Sequence, residues 1–313
     1  MLFETAGIQV YPLLPPLVAF AISFFCSMGG VSGAFLLLPF QMTCLGYTNP
    51  SVSATNQLFN IVAIPSGVYR YWKEGRMVWP LTLIVIVGTL PGVLIGAIVR
   101  VIYLPDPRNF KLFAAAVLLY LGGKMVLGLV KKNKQAGTVS SGEQRFQEII
   151  RQRALGKWDK SKQSVQVTRF NLKRLGYTFY DDSFDVSVSG LFMLSFIVGI
   201  IGGIYGIGGG AILSPFFVTV FKLPVYTVAG ATLMATFVTS VAGVVFYQSL
   251  SWFFPNVPVS PDWILGILFG IGGIFGMYLG ARCQKFIPAK IIKWMLAVIV
   301  LFIAIKYIIE FFN

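Results

Sequence analysis

The sequence contains no histidine, and only 11 of its 313 residues are acidic against 25 that are basic. Every aspartate and glutamate lies in a loop or at the end of a hydrophobic stretch. Proton relays inside membranes are usually built from Asp, Glu or His, and catalytic triads, histidine-ligated metals and carboxylate pairs need the same groups. We therefore predict that the chain is not an enzyme, has no catalytic residue and uses no metal or other cofactor.

Charged residues of either sign are scarce, at 12% of the chain, whereas hydrophobic residues make up 56% and the mean hydropathy is +0.78. A soluble domain of this length does not need so apolar a composition, which indicates an integral membrane protein. The eight hydrophobic stretches are residues 11–45, 51–69, 77–100, 109–130, 186–221, 227–250, 262–282 and 289–312. Most are near the ~20 residues that a helix needs to cross the hydrocarbon core, so we predict an all-α membrane fold.

The basic residues are concentrated in one loop, residues 131–187, which carries 12 of the 25 Lys and Arg side chains. Loops kept on the cytoplasmic side accumulate Lys and Arg, so the net charge of +14 predicts a cytoplasmic loop and not a nucleic-acid partner. Apolar residues alternate at 165 and 167 and again at 177 and 179, which predicts a short β-hairpin in this loop. The predicted units are an N-terminal membrane repeat, a basic cytoplasmic loop and a C-terminal membrane repeat, at residues 1–130, 131–187 and 188–313.

Two glycine-rich segments, one in each half, have closely similar sequences. Residues 29–40 read GGVSGAFLLLPF and residues 205–216 read YGIGGGAILSPF, with Pro39 and Pro215 at the same offset. A glycine break inside a membrane segment exposes backbone polar groups, so it persists only where it is buried in protein or lines a water-filled cavity. Two breaks in corresponding positions predict a transporter whose binding site lies between the repeats.

The repeat extends beyond the breaks, because the sequence at 53–55 corresponds to that at 230–232 and glycines recur at one constant offset later in each half. Each half thus contains one broken segment followed by three continuous helices. If the broken segments are re-entrant hairpins, the second half is inverted relative to the first; if they cross fully, the halves are parallel. The inverted arrangement keeps most basic loops on the cytoplasmic side, so we predict two inverted-repeat halves with both termini outside.

A helix that restarts after a glycine break points its free N–H groups and the positive end of its dipole into the membrane centre, where they favour an anion. The helix after the first break adds Thr55, Asn56 and Asn60, although these asparagines are also explained by hydrogen bonds that only join helices. The corresponding positions of the second half include Leu233 and Phe237, which predicts a site that is polar on one side and apolar on the other. The predicted substrate-binding residues are Gly30, Ser32, Gly33, Ala34, Thr55, Asn56, Asn60, Gly206, Gly208, Gly209, Gly210 and Thr232.

The doubled pattern of a glycine-rich break, a proline and an Ala-Thr pair resembles the sulfite exporter TauE/SafE family of membrane permeases. The residues that carry the resemblance are Gly30, Gly33, Pro39, Ala54 and Thr55 in the first half, and Gly206, Gly208, Gly209, Gly210, Pro215, Ala231 and Thr232 in the second. The resemblance covers both membrane halves. It implies transport of small sulfur-containing anions, such as sulfite or organosulfonates, across a prokaryotic cytoplasmic membrane or an organellar counterpart.

We therefore expect a secondary anion transporter, a permease or exporter, that works by alternating access at a site between the two glycine-broken helices. The expected partners are the small anion and membrane lipid, with no nucleic acid; a homo-oligomer is compatible with the sequence. Two other functions stay open at this point. One is an anion channel with the same dipole-lined site, and the other is a membrane receptor or scaffold that acts through its basic cytoplasmic loop.

Overall fold

The computed structural model describes residues 1–28, 31–134, 165–179, 182–283 and 289–312. Helices dominate this part of the chain. They are α1 (Leu14–Met28), α2 (Ala34–Cys44), α3 (Ser51–Lys73), α4 (Trp79–Ile102), α5 (Pro107–Lys134), α6 (Val188–Tyr205), α7 (Leu213–Val220), α8 (Val225–Phe253), α9 (Trp263–Cys283) and α10 (Ala289–Phe312). The strands are β1 (Leu2–Phe3), β2 (Ile8–Gln9), β3 (Val165–Phe170), β4 (Arg174–Phe179) and β5 (Asp182–Ser187).

Within the described residues, 5 helical segments are long and apolar enough to cross a membrane. They are Trp79–Ile102, Pro107–Gly128, Val188–Tyr205, Tyr226–Phe253 and Trp263–Cys283. The helices α1 and α2 are apolar but shorter, and α3 is long but buries Thr55, Asn56, Gln57 and Asn60. The predicted all-α membrane protein is thus confirmed at the level of helix content and membrane spans.

Rows of glycine bring pairs of helices into close contact, because a residue without a side chain lets two helix backbones approach. A Cβ atom placed on Gly88 of α4 would lie 2.8 Å from Ser195 Cβ of α6, and one placed on Gly96 would lie 2.6 Å from the backbone nitrogen of Ile204. Because the later glycine of α4 contacts a later residue of α6, the two helices run parallel. Any side chain along this row would force the two helices apart.

The pair α1 and α9 repeats this arrangement. A Cβ atom on Gly276 of α9 would lie 2.9 Å from Ser23 Cβ of α1, and one on Gly280 would overlap Ser27. The first helix of each half therefore packs against the fourth helix of the other half, α1 on α9 and α6 on α4. In the centre, α3 contacts both α8 and α9, and α8 also contacts α4, while α5 packs against α10.

Each broken segment turns back toward the end of the molecule at which it began. After α2, the Asn49 side-chain amide donates to the carbonyl oxygens of Thr5 and Ala6, at 3.3 and 3.4 Å, just before α1. After α7, Phe221 lies against the start of α6, 3.3 Å from a Cβ atom placed on Gly190. The chain therefore forms two helical hairpins, α1–α2 and α6–α7, with a glycine break at each tip.

A three-stranded antiparallel sheet in the order β3, β4, β5 precedes α6. In the hairpin of β3 and β4, Val165 pairs with Phe179 and Val167 pairs with Tyr177. The inner side chains of β4 are buried, and the Tyr177 hydroxyl lies 3.0 Å from the Thr227 hydroxyl in the first turn of α8. The sheet is thus docked on the end of the helical bundle where α6 and α8 begin, which we call the sheet end.

Candidate functional site

The first break lies between α1 and α2 at Val31, Ser32 and Gly33; Gly30, a predicted contact, lies outside the described residues. The buried Ser32 hydroxyl accepts from the Ala34 backbone N–H at 3.2 Å. A Cβ atom on Gly33 would lie 2.6 Å from Ser23 Oγ of α1. The break is therefore enclosed by protein, which is the setting that a non-helical backbone inside a membrane requires.

The second break, residues 206–212, lies between α6 and α7. Gly206 and Gly208 have φ angles of +77° and +80°, in the left-handed region that side chains disfavour. A Cβ atom on Gly209 would overlap Thr89 of α4. Glycine is needed here both for the backbone conformation and for the close approach of α4.

Asn56 of α3 connects the two breaks directly. Its side-chain Nδ2 donates to the carbonyl oxygens of Ala34 and Gly206, each at 3.0 Å, and Ala34 follows the first break while Gly206 begins the second. Its Oδ1 accepts from Gln41 Nε2 of α2 at 3.2 Å. All of the Asn56 donors are therefore occupied by the protein, so this side chain fixes the position of one break relative to the other.

Asn60, one turn further along α3, makes the same kind of connection. Its Oδ1 accepts from the Ser32 hydroxyl at 2.5 Å, and its Nδ2 donates to the carbonyl oxygen of Ile207 at 2.9 Å and to Ser240 Oγ at 3.2 Å. Both asparagines are completely buried. The structure thus brings the two predicted breaks and both predicted asparagines together in one network.

Hydroxyl groups of α8 line the second break, and the sequence analysis missed them. Thr239 Oγ1 accepts from the Gly209 backbone N–H at 3.0 Å. A Cβ atom on Gly208 would lie 2.8 Å from Ser240 Oγ, and one on Gly210 would lie 2.7 Å from Thr236 Oγ1. The prediction of an apolar second side was wrong, because Thr236, Thr239 and Ser240 of the same helix bring hydroxyl groups to the break.

The two predicted threonines make their hydrogen bonds elsewhere. Thr55 Oγ1 lies 2.8 Å from the Tyr47 hydroxyl and accepts from the Asp262 backbone N–H at 2.8 Å. Burial raises the pKa of Tyr47 above its usual range, so its hydroxyl stays neutral. Thr232 Oγ1 donates to the Val228 carbonyl of its own helix at 3.2 Å. Thr55 therefore stabilises the loop before α3, and Thr232 approaches the second break only through its backbone.

The break region offers hydrogen-bond donors without charge. In the described part of the chain, the backbone N–H groups of Gly208, Gly210 and Ala211 have no hydrogen-bond partner, and they precede the first turn of α7. The polar side chains that contact the two breaks in the described residues are neutral hydroxyls and amides. The same described residues hold no cluster of three His, Cys, Asp or Glu with metal-ligand geometry. Unpaired amides at the start of a helix attract anions.

Comparison with known proteins agrees with this architecture. The family model described as sulfite exporter TauE/SafE matches residues 16–307, which include both breaks. The chain is 22% identical over 298 residues to "Probable membrane transporter protein YunE" of Bacillus subtilis (strain 168), covering 91% of this chain and 92% of that protein. It is also 25% identical over 122 residues to "Probable membrane transporter protein YdhB" of the same organism, covering 39% of this chain and 46% of that protein.

No solved structure matches the chain significantly. The family match covers nearly the whole chain and includes all of the candidate membrane spans found in the described residues. The chain belongs to the sulfite exporter TauE/SafE family, and it is a multi-pass membrane transporter and not an enzyme.

Proposed function

We propose that the protein carries small sulfur-containing anions, such as sulfite or an organosulfonate, through a site between the two glycine breaks. The observation that carries this proposal is the set of unpaired N–H groups at Gly208, Gly210 and Ala211, buried beside the hydroxyl groups of α8. An oxyanion accepts several hydrogen bonds at once and is stabilised by the positive end of a helix. The family name supplies the sulfur-containing class of substrate.

The predicted contact residues then take two roles. The backbone of Gly208, Gly209 and Gly210 and the segment around Ser32 and Gly33 face the anion, whereas Asn56 and Asn60 position the breaks. This division is supported by the hydrogen bonds of the asparagines, which use their side-chain N–H groups on protein carbonyls and on Ser240. An anion that entered this network would have to displace one of those partners.

We propose that the two halves are inverted repeats and that transport is by alternating access. The reciprocal packing of α1 on α9 and of α6 on α4 supports a two-fold relation between the halves. The two hairpins also begin at opposite ends of the bundle. Helix α6 begins at the sheet end. Helix α8 also begins there and crosses to the other end, so α9, and α1 which runs parallel to it, begin at that other end. Rocking one half against the other would open the site to each side in turn.

The orientation follows from charge. The sheet end carries strands β3, β4 and β5, which belong to the basic loop predicted from the sequence, and loops rich in Lys and Arg are retained in the cytoplasm. We therefore place the sheet end on the cytoplasmic side and both chain termini on the other side of the membrane.

The test is flux of radiolabelled sulfite and sulfoacetate into proteoliposomes, comparing Gly209→Ala with Gly123→Ala. Both changes add one methyl group, but a Cβ atom on Gly209 would overlap Thr89, whereas one on Gly123 has no atom within 4 Å. We expect at least a tenfold loss of flux for Gly209→Ala, equivalent to about 1.4 kcal/mol, and none for Gly123→Ala. Each variant is compared at equal amounts of monodisperse protein, and normal transport by Gly209→Ala would place the site elsewhere.

A further inference from the structure

Arg100, near the end of α4, is completely buried, with an exposed fraction of 0%. Within the described part of the chain, no carboxylate lies within ion-pair distance of it. Arg76, which is also buried, differs because it pairs with Glu74. A buried charge that lacks a counter-ion is costly, so an unpaired guanidinium inside a membrane protein calls for an explanation.

The donors of Arg100 are only partly used. Its Nη1 donates to the carbonyl oxygen of Leu104, and its guanidinium carbon lies 3.8 Å from the centroid of the Phe110 ring. Its Nε and Nη2 atoms are buried and have no hydrogen-bond partner. Those two nitrogens carry three of the five N–H donors of an arginine, in the planar arrangement that fits an oxyanion.

Two buried hydroxyl groups lie in the region between α4 and the second break. Tyr247 of α8 packs in one buried cluster with Val101, the residue after Arg100, and its hydroxyl donates to the Gly203 carbonyl oxygen of α6 at 3.4 Å. The Ser53 hydroxyl is buried without a hydrogen-bond partner, and the Ser53 side chain contacts Gly206 so closely that a Cβ atom there would overlap it. One hydroxyl therefore lies beside the α4 segment that carries Arg100, and the other lies beside the start of the break.

Gln57 adds a second unpaired side chain to this region. It lies one turn after Ser53 on α3 and is completely buried, and neither Nε2 nor Oε1 has a hydrogen-bond partner. Its amide packs against Gly243, one turn before Tyr247 on α8. Leaving such an amide buried and unpaired costs about 1–3 kcal/mol, so a ligand that pairs with it would recover that energy.

The four residues Arg100, Tyr247, Ser53 and Gln57, which we call the donor cluster, lie away from the sheet end. Arg100 follows Gly96 by one turn, and Gly96 already packs against the last turn of the parallel helix α6. The cluster is therefore on the far side of the second break as seen from the sheet. It combines a positive charge with neutral donors and contains no acidic group.

We propose that the donor cluster is a second anion-binding subsite, which takes the transported oxyanion as it passes between the breaks and the side of the membrane opposite the sheet. This inference rests on the proposed function. The guanidinium supplies charge-assisted hydrogen bonds through Nε and Nη2, and Gln57 Nε2 and the Ser53 hydroxyl supply neutral ones. The anion thereby provides the counter-charge that Arg100 lacks.

The first test compares Arg100→Gln with Arg108→Gln by measuring the KM and maximal rate of sulfite and sulfoacetate flux in proteoliposomes. Arg108 carries the same charge a few residues later but is exposed, where its guanidinium lies 4.9 Å from the Phe311 ring. We expect Arg100→Gln to raise KM about tenfold or more, the equivalent of one charge-assisted hydrogen bond, and Arg100→Lys to restore part of the affinity. Arg108→Gln should stay within about twofold of the unmodified protein.

The second test is Gln57→Leu, which separates binding from folding. Replacing an unpaired buried amide by an apolar side chain of similar volume leaves stability unchanged or increases it. A binding role predicts a KM that is raised about threefold or more, with an unchanged or higher melting temperature, as expected for loss of one neutral hydrogen bond. A purely structural role would leave KM unchanged.

The two proposals fail differently. If the unmodified protein binds and transports none of the tested anions, the proposed function is wrong. If it transports them while Arg100→Gln and Gln57→Leu keep the original KM, or lose only maximal rate and stability, the subsite is refuted and the site at the breaks stands. A KM raised equally by Arg108→Gln would also refute the subsite, because general attraction of anions by surface charge would then explain it.

Discussion

Replacing Asn56 by leucine tests whether the two breaks are held together by side-chain hydrogen bonds. Leucine has a similar volume but no hydrogen-bonding group. The change removes the donations to the Ala34 and Gly206 carbonyl oxygens, both 3.0 Å long, and the donation from Gln41 at 3.2 Å. Three buried polar groups, two on α2 and one at the second break, would then lose this partner.

The expected loss is worked from these three bonds. Hydrogen bonds between helices in membrane proteins are worth about 0.6 kcal/mol on average and at most about 1.7 kcal/mol. Three such bonds sum to about 2–5 kcal/mol, and the enclosed position of Asn56 favours the upper part of that range. Because the bond to Gly206 joins the two halves and the bond to Ala34 holds the first break, we also expect faster hydrogen exchange at both breaks.

The assay is equilibrium unfolding in mixed detergent micelles, followed by hydrogen exchange read out by mass spectrometry. Thr82→Val is the matched control, because Thr82 is buried in α4 but donates only to the Val78 carbonyl of the same chain segment, at 3.0 Å. The control should lose less than about 1 kcal/mol. An Asn56→Leu variant that unfolds within about 0.5 kcal/mol of the unmodified protein would refute the role assigned to Asn56.

Three further changes test other parts of the fold. Tyr177→Phe removes the 3.0 Å contact with the Thr227 hydroxyl. The free energy of opening of β4, measured by hydrogen exchange, should fall by about 1 kcal/mol, while the KM for sulfite stays unchanged. A changed KM would link the sheet to binding. Asp262→Ala removes the N-cap of α9 and should lower the free energy of unfolding by about 1 kcal/mol, which an unchanged unfolding midpoint would contradict. Gly88→Ala would place Cβ 2.8 Å from Ser195 Cβ and should cost about 1–3 kcal/mol of stability, with the KM of the folded protein preserved; a stable variant with a raised KM would contradict this.

Much of the architecture is predictable because the chain has so few polar residues. Long apolar runs between loops leave little choice but membrane helices, and glycine clusters inside such runs mark breaks. Asn56 and Asn60 were predicted to lie at the breaks because they share a face of the next helix. The structure adds that their donors point at protein carbonyls, which depends on the position of the other half of the chain.

The features that sequence analysis missed depend on helix rotation and tertiary packing. Thr236, Thr239 and Ser240 face the second break, but aligning the repeats drew attention to Leu233 and Phe237. An arginine at the end of a span ordinarily extends toward water, so Arg100 was not singled out. The short strands β1 and β2 also lack a distinctive pattern, because two residues are too few to show alternation.

The position of the bound anion can be determined directly by crystallography. Selenite and selenate replace the sulfur of sulfite and sulfate by a heavier atom, whose anomalous scattering marks its position in crystals of the full chain. We expect a selenium peak between the two breaks, with the oxyanion oxygens about 3 Å from the backbone nitrogens of Gly208 and Gly210. A peak found only at the protein surface, with the breaks unoccupied under conditions that support transport, would contradict it.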